Sequence, residues 1–162
     1  MVKEISFKEI KPMWERLWVG RDFIRPVVSM TSNTTHDMSI YEKAQDGEGL
    51  YAGKFFGIYN DRGELVGVNS GHQTSDTHFR SRGLYVKPGY GGRGLGQLLL
   101  QTVINLAEEN GFEMIWSLPK VTAFKTYRAV GFVCHKGEYK DTYKVNGVMQ
   151  KGWNSYAEKK LK

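Results

Sequence analysis

The sequence predicts a single mixed α/β domain, a mostly antiparallel sheet flanked by helices, spanning residues 1–162. Three observations carry that expectation. Apolar runs at residues 55–59, 65–69 and 78–86 follow one another through short, turn-rich connections, the pattern of an antiparallel meander. Residues 89–96 then hold five glycines and lead directly into an amphipathic helix. Finally, a chain of 162 residues with 40% hydrophobic and 25% charged residues suits one compact domain, able to bury roughly two-thirds of its unfolded surface.

The elements follow from local pattern. Residues 2–7 alternate as a strand, and residues 12–18 suit a short helix with Pro12 in its first turn. Between residues 20 and 51 the periodicity is poor. Ser32-Asn33-Thr34-Thr35 suits the cap of a helix over residues 36–44, and Gly47-Glu48-Gly49 marks a turn. Asn60-Asp61-Arg62-Gly63 is a turn cluster between two strands, and Pro88 closes the third strand. The helix after the glycines places Leu95, Leu98, Leu99, Val103, Leu106 and Ala107 on one face and stops at Asn110-Gly111. Residues 112–118 read as a buried strand, 122–130 as a helix, 131–135 as a strand and 155–161 as the last strand, reached through a polar loop around Asn146-Gly147. No internal repeat or interior linker interrupts the chain.

Composition bounds the function. No apolar run approaches the roughly 18 to 20 residues of a membrane helix, so no membrane partner is expected. The first residues, with Glu4 among them, do not read as a signal peptide. Cys134 is the single cysteine, which rules out an internal disulfide and a multi-cysteine metal site. No metal is expected, and a reducing, cytoplasmic setting fits. The 23 Lys and Arg against 17 Asp and Glu leave a charge of +6, which steers the chain toward anionic partners. Those basic residues are scattered, which disfavours a nucleic-acid-binding module but leaves it as an alternative.

A strand, a glycine-rich loop and a helix in succession make a phosphate-binding arrangement. The first turn of a helix has N–H groups without intrahelical partners, and the helix dipole favours an anion there. Glycines admit positive φ and close approach of backbone to ligand, and Arg93, with Lys87 behind it, adds positive charge. A P-loop would need Lys and Ser or Thr after its last glycine, whereas Gln97 follows Gly96. Residues 89–94 spell the dinucleotide pattern G-x-G-x-x-G, but the acidic residue that pattern wants at the end of the next strand is missing; Glu113 stands near that strand's start.

The phrase Leu84-Tyr85-Val86-Lys87-Pro88 followed by Gly91-Gly92-Arg93-Gly94-Leu95-Gly96-Gln97 resembles the acetyl-CoA loop of the GNAT superfamily of N-acetyltransferases. Gly94 and Gly96 match the family's pattern, and Gly91 stands where Arg or Gln is usual. A second family motif, with Ala123, Tyr127, Gly131 and Phe132 in register, follows about 30 residues later, with Lys120 where Asn is usual. The resemblance implies a GNAT fold and acetyl-CoA as cosubstrate, held by Leu84, Tyr85, Val86, Gly91, Gly92, Arg93, Gly94, Leu95, Gly96 and Gln97. It implies backbone N–H groups at a bulge around residues 84–86 for the acetyl carbonyl and pantetheine arm. It also implies transfer to an amine acceptor, small molecule or peptide, by a monomer or homodimer, with Tyr127 as general acid; a non-catalytic CoA-binding domain is the alternative.

The chemistry explains why a phenol suits that place. A phenol with reference pKa about 10 donates to a thiolate of reference pKa about 8.5 across a gap of about 2 kcal/mol. The acceptor is harder: an alkyl ammonium is neutral about once in 2,500 molecules at pH 7, a cost of about 4.6 kcal/mol. Residues 79–86 contain no acid, and His78 at the strand's start is the candidate base, with His72 and Asp76 just before it; the base stays unassigned. Trp14, Trp18 and Phe23 are candidates for an acceptor pocket, with core packing the favoured alternative. Arg80 and Arg82 share one side of their strand, where exposed charge is the ordinary expectation and recognition of an anionic acceptor the sharper one. Residues 139–144 either close over the cleft or form a surface loop.

Overall fold

The structure, a computed structural model, describes residues 1–17, 50, 52–136, 142–145, 148–151 and 155–162. The expected helix at 36–44, its cap, the turn at 47–49, and Trp18 and Phe23 lie outside the described residues.

The chain begins with strand β1 (Val2–Ile5) and helix α1 (Phe7–Leu17). The helix starts five residues earlier than expected from Pro12, because Ser6 and Glu9 form a reciprocal cap. The Glu9 N–H donates to Ser6 Oγ at 3.2 Å, and the Ser6 N–H donates to Glu9 Oε1 at 3.0 Å. Pro12 sits inside the helix. The meander follows as β2 (Lys54–Tyr59), β3 (Leu65–Gln73) and β4 (His78–Val86), paired antiparallel as expected.

Helix α2 (Leu95–Glu109) comes next and stops at Asn110, with Gly111 at φ 79°. Its buried face is Leu99, Leu100, Val103, Ile104 and Ala107. The expected face is therefore rotated: Leu98 is 51% exposed, while Leu100 and Ile104 point inward. With leucines at 98, 99 and 100, periodicity alone does not decide which of them turns toward the sheet.

Beyond α2 come β5 (Met114–Ser117), a single 3-10 turn (Val121–Ala123), helix α3 (Phe124–Ala129), β6 (Val133–Lys136) and β9 (Ser155–Lys160). A separate hairpin of β7 (Thr142–Val145) and β8 (Val148–Lys151) occupies the region expected to be a polar loop. Asn146-Gly147 between those strands is a sequence suited to a two-residue hairpin connection.

The main sheet has seven strands in the order β1-β2-β3-β4-β5-β9-β6. Only β4 and β5 pair in parallel, joined through α2; every other neighbour is antiparallel. One face packs α2 and α3 over Phe79, Ile115, Phe132 and Ala157. The other packs Phe7, Ile10 and Trp14 of α1 against Phe55 and Val68.

Two features of β4 position the site. Val68 pairs with Tyr85 and Ser70 with Arg82, so Asn69 alone faces both Gly83 and Leu84 in a bulge. Gly83 has φ 76°, and a Cβ there would lie 2.3 Å from Trp14 Nε1, which donates to the Gly83 carbonyl at 2.9 Å. No residue but glycine fits both the backbone and the space. In addition, β4 pairs with β5 only over residues 78–80. The two strands part beyond Arg80, and a cleft opens between them.

Candidate active site

That cleft holds about 760 Å³. One wall is the distal half of β4, residues 82–86, with the glycine loop beyond it. The other runs from Ser117 at the end of β5 through Pro119 and Lys120 to Tyr127 on α3. The parting of β4 from β5 leaves the cleft-side edge of β4 unpaired with any described strand beyond Arg80. Strand edges left open in this way present backbone N–H and C=O groups to a ligand.

The loop is open and rich in left-handed glycines. Gly89, Gly92 and Gly94 have φ of 91°, 75° and 76°. A Cβ at any of them, or at Gly91, would meet no atom within 4 Å, so the space over the loop is open. Gly94 caps α2 without a side-chain hydrogen bond, and the first turn of the helix carries no acidic residue. The N–H groups of that turn therefore face the cleft mouth with the positive end of a four-turn helix behind them. At Gly96 a Cβ would come within 3.2 Å of Thr126 Cγ2, so glycine here also lets α2 start close against α3.

Tyr127 sits deeper, 3% exposed, with its ring edge-on to Phe132 at 5.1 Å. Its hydroxyl lies 3.1 Å from Ser117 Oγ. Ser117 in turn donates to the Ser81 carbonyl at 2.9 Å, and Ser81 Oγ exchanges hydrogen bonds with the Asn69 side chain at 2.9 and 3.2 Å. Burial raises the Tyr127 pKa, and the hydroxyls of Ser117 and Ser81 with the Arg80 charge oppose that shift. The phenol is therefore held in its protonated form at neutral pH.

A sequence profile describing the Acetyltransferase (GNAT) family matches residues 14–132. The chain belongs to this family. The GNAT fold is also found in solved structures of low identity. An acetyltransferase of the GNAT family from Staphylococcus aureus is 18% identical, with a TM-score of 0.66 over 100% of both chains. A GNAT superfamily phosphinothricin acetyltransferase from Sinorhizobium meliloti, solved in complex with AcCoA, is 13% identical, with a TM-score of 0.64 over 99% of this chain and 88% of that one. A ribosomal-protein-alanine N-acetyltransferase from Brucella melitensis is 15% identical, with a TM-score of 0.63 over 99% of both. A search of curated protein sequences gives no match.

Within this GNAT fold, the cleft brings together Leu84, Tyr85, Val86, Gly91, Gly92, Gly94, Leu95, Gly96, Gln97 and Tyr127. Two sequence candidates stand apart. Arg93 does not line the cleft; its guanidinium lies 5.0 Å from the Tyr90 ring centre. His78 also lies outside it, at the end of β4 away from the bulge, with Nδ1 2.7 Å from Thr77 Oγ1. Lys87 is 3.9 Å from Glu64. Trp14 is fully buried and serves as core. The expectation of exposed charge at Arg80 and Arg82 does not hold: each is 5% exposed, and both line the cleft. Ser117, Thr126, Lys120 and Lys125 also line the cleft. In the sequence Lys120 stands out only as a motif departure, and Ser117 lies unmarked within the strand read over residues 112–118.

Among the described lining residues there is no Asp, Glu or His. The cleft combines phenolic acid, backbone donors and cationic side chains, a set able to stabilise negative charge on oxygen, sulfur or phosphate.

Proposed function

We propose that this protein moves an acetyl group from acetyl-CoA to a primary amine by direct attack, with Tyr127 protonating the departing thiolate. The observation that carries the reading is the position of the Tyr127 hydroxyl, buried beside a cleft that runs from an open, glycine-lined helix N-terminus to the bulge of β4. The loop of residues 91–96 and the start of α2 fit a pyrophosphate, since they offer N–H donors, open space and no competing carboxylate. The unpaired edge of β4 suits the amide groups of a pantetheine arm, and the bulge at Gly83-Leu84 suits the acetyl carbonyl. Donors aimed at a developing oxyanion are typically worth about 2.7 to 4 kcal/mol each.

The reaction forms a C–N bond and breaks the C–S bond. Of the two protons that the acceptor ammonium gives up, one restores Tyr127 after it has protonated sulfur. The other goes to solvent.

Calorimetric titration with acetyl-CoA, beside NADH and a short DNA duplex, tests the site. Micromolar acetyl-CoA binding that Gly94→Glu weakens supports the reading, because a carboxylate at the helix N-terminus repels phosphate. Absence of acetyl-CoA binding, with affinity for either competitor, overturns it.

A further inference from the structure

Two guanidiniums occupy the side of the cleft that the acid does not. Along β4, Phe79 packs under α2 and Ser81 joins the hydrogen-bonded chain that ends at Tyr127. Successive strand residues alternate across a sheet, so Arg80 and Arg82 face the opposite side. Both line the cleft. Arg80 is held in place: its guanidinium lies 4.7 Å from the Trp116 ring centre. Trp116 is fixed by an indole N–H bond to Thr74 Oγ1 at 3.0 Å and by stacking on Tyr156 at 6.2 Å.

The described lining residues include four cations, Arg80, Arg82, Lys120 and Lys125, and no carboxylate. Lys120 and Lys125 belong to the segment around α3, whose Thr126 lies against Gly96 of the loop; the arginines lie on β4 on the far side of the bulge. A guanidinium presents five N–H donors in a planar fork matched to a two-oxygen anion.

Resting on the acetyl-transfer reading above, we propose that the acceptor amine carries an oxyanion, a carboxylate or a phosphate, which Arg80 and Arg82 bind on the face opposite Tyr127. The acceptor then enters from one side of the sheet while the thiol leaves toward the other. The arginines are specificity-determining residues in this arrangement and take no part in proton transfer.

Binding to the CoA-loaded protein tests this without relying on turnover. The probes are matched pairs: glycine, β-alanine and 4-aminobutyrate against their amides, and 2-aminoethyl phosphate against ethanolamine. In at least one pair the anionic member binds tighter by about tenfold or more, as expected for a charge-assisted two-point contact. A preference confined to the carboxylates or to the phosphate identifies the anion. Arg80→Gln and Arg82→Gln each bring the paired affinities together, Arg82→Lys retains part of the preference, and CoA still binds. Should a glutamine variant fail to fold, the wild-type pair comparison decides alone. Equal binding within every pair, tighter binding of the neutral members, or no binding by any anionic probe overturns the proposal. Failure of CoA itself to bind instead overturns the acetyl-transfer reading.

Discussion

The Tyr127 hydroxyl and Ser117 Oγ lie 3.1 Å apart, and either can donate to the other. Ser117 has one hydroxyl hydrogen, and the Ser81 carbonyl 2.9 Å away can only accept it. The pair ties a buried aromatic residue of α3 to the end of β5 and, through the Ser81 carbonyl, to β4.

Tyr127→Phe is expected to lower kcat for acetyl transfer by about 100-fold or more, the usual span for general acid catalysis. Because the ring packing survives, acetyl-CoA affinity should change little. Steady-state kinetics beside calorimetry check both. An unchanged kcat would remove Tyr127 from proton transfer.

The raised Tyr127 pKa makes a pH prediction. Its folded value lies above the unfolded value near 10, so its contribution to stability is fully present below about pH 10 and is lost as pH climbs through the folded pKa. Urea unfolding should show wild type weakening above about pH 10 more steeply than Tyr127→Phe. Across neutral pH, Tyr127 should add no limb to the kcat profile.

At the other end of the fold, Tyr59 donates to Glu9 Oε2 at 2.6 Å, which pushes the phenol up to about 12 and holds the Glu9 carboxyl low. A depressed carboxyl pKa contributes stability above its unfolded value, and that contribution disappears as pH falls through the folded one. Unfolding followed from pH 6 down to pH 2 should therefore lose less stability in Glu9→Gln than in wild type below about pH 4.5. Parallel curves would show that the pair does not contribute.

Gly83→Ala should destabilise strongly. Positive φ costs a non-glycine residue roughly 1 to 2 kcal/mol, and a Cβ 2.3 Å from Trp14 Nε1 adds overpacking of typically about 1 to 3 kcal/mol. Denaturant titration measures the sum. A loss below about 1 kcal/mol would mean the bulge tolerates a side chain.

The rotated face of α2 predicts a contrast between neighbours. Leu99→Ala, at a fully buried position, should cost about 2 to 5 kcal/mol. Leu98→Ala, half exposed, should stay within about 0.5 kcal/mol. Comparable losses at both positions would contradict the packing described.

Sequence alone determined what depends on local chemistry. The meander is written in alternation and turn residues, the stop of α2 in Asn110-Gly111, and the loop before α2 in glycines whose positive φ other residues resist. Two short motifs, one around Gly94 and Gly96 and one around Tyr127, Gly131 and Phe132, carried the family. The earlier start of α1 was also legible, in Ser6-Phe7-Lys8-Glu9. Only the tertiary structure decided the rest, because it depends on which strands lie side by side and where they part. The parallel contact of β4 with β5 ends at Arg80, and that divergence makes the cleft. Tertiary packing also buries two arginines that look like surface charge in sequence, and leaves His78 outside the cleft. It also sets Ser117, unremarkable at a strand's end, against a tyrosine ten residues away. Burial and long-range pairing assign such roles, and neither is encoded in the spacing of residues along a chain.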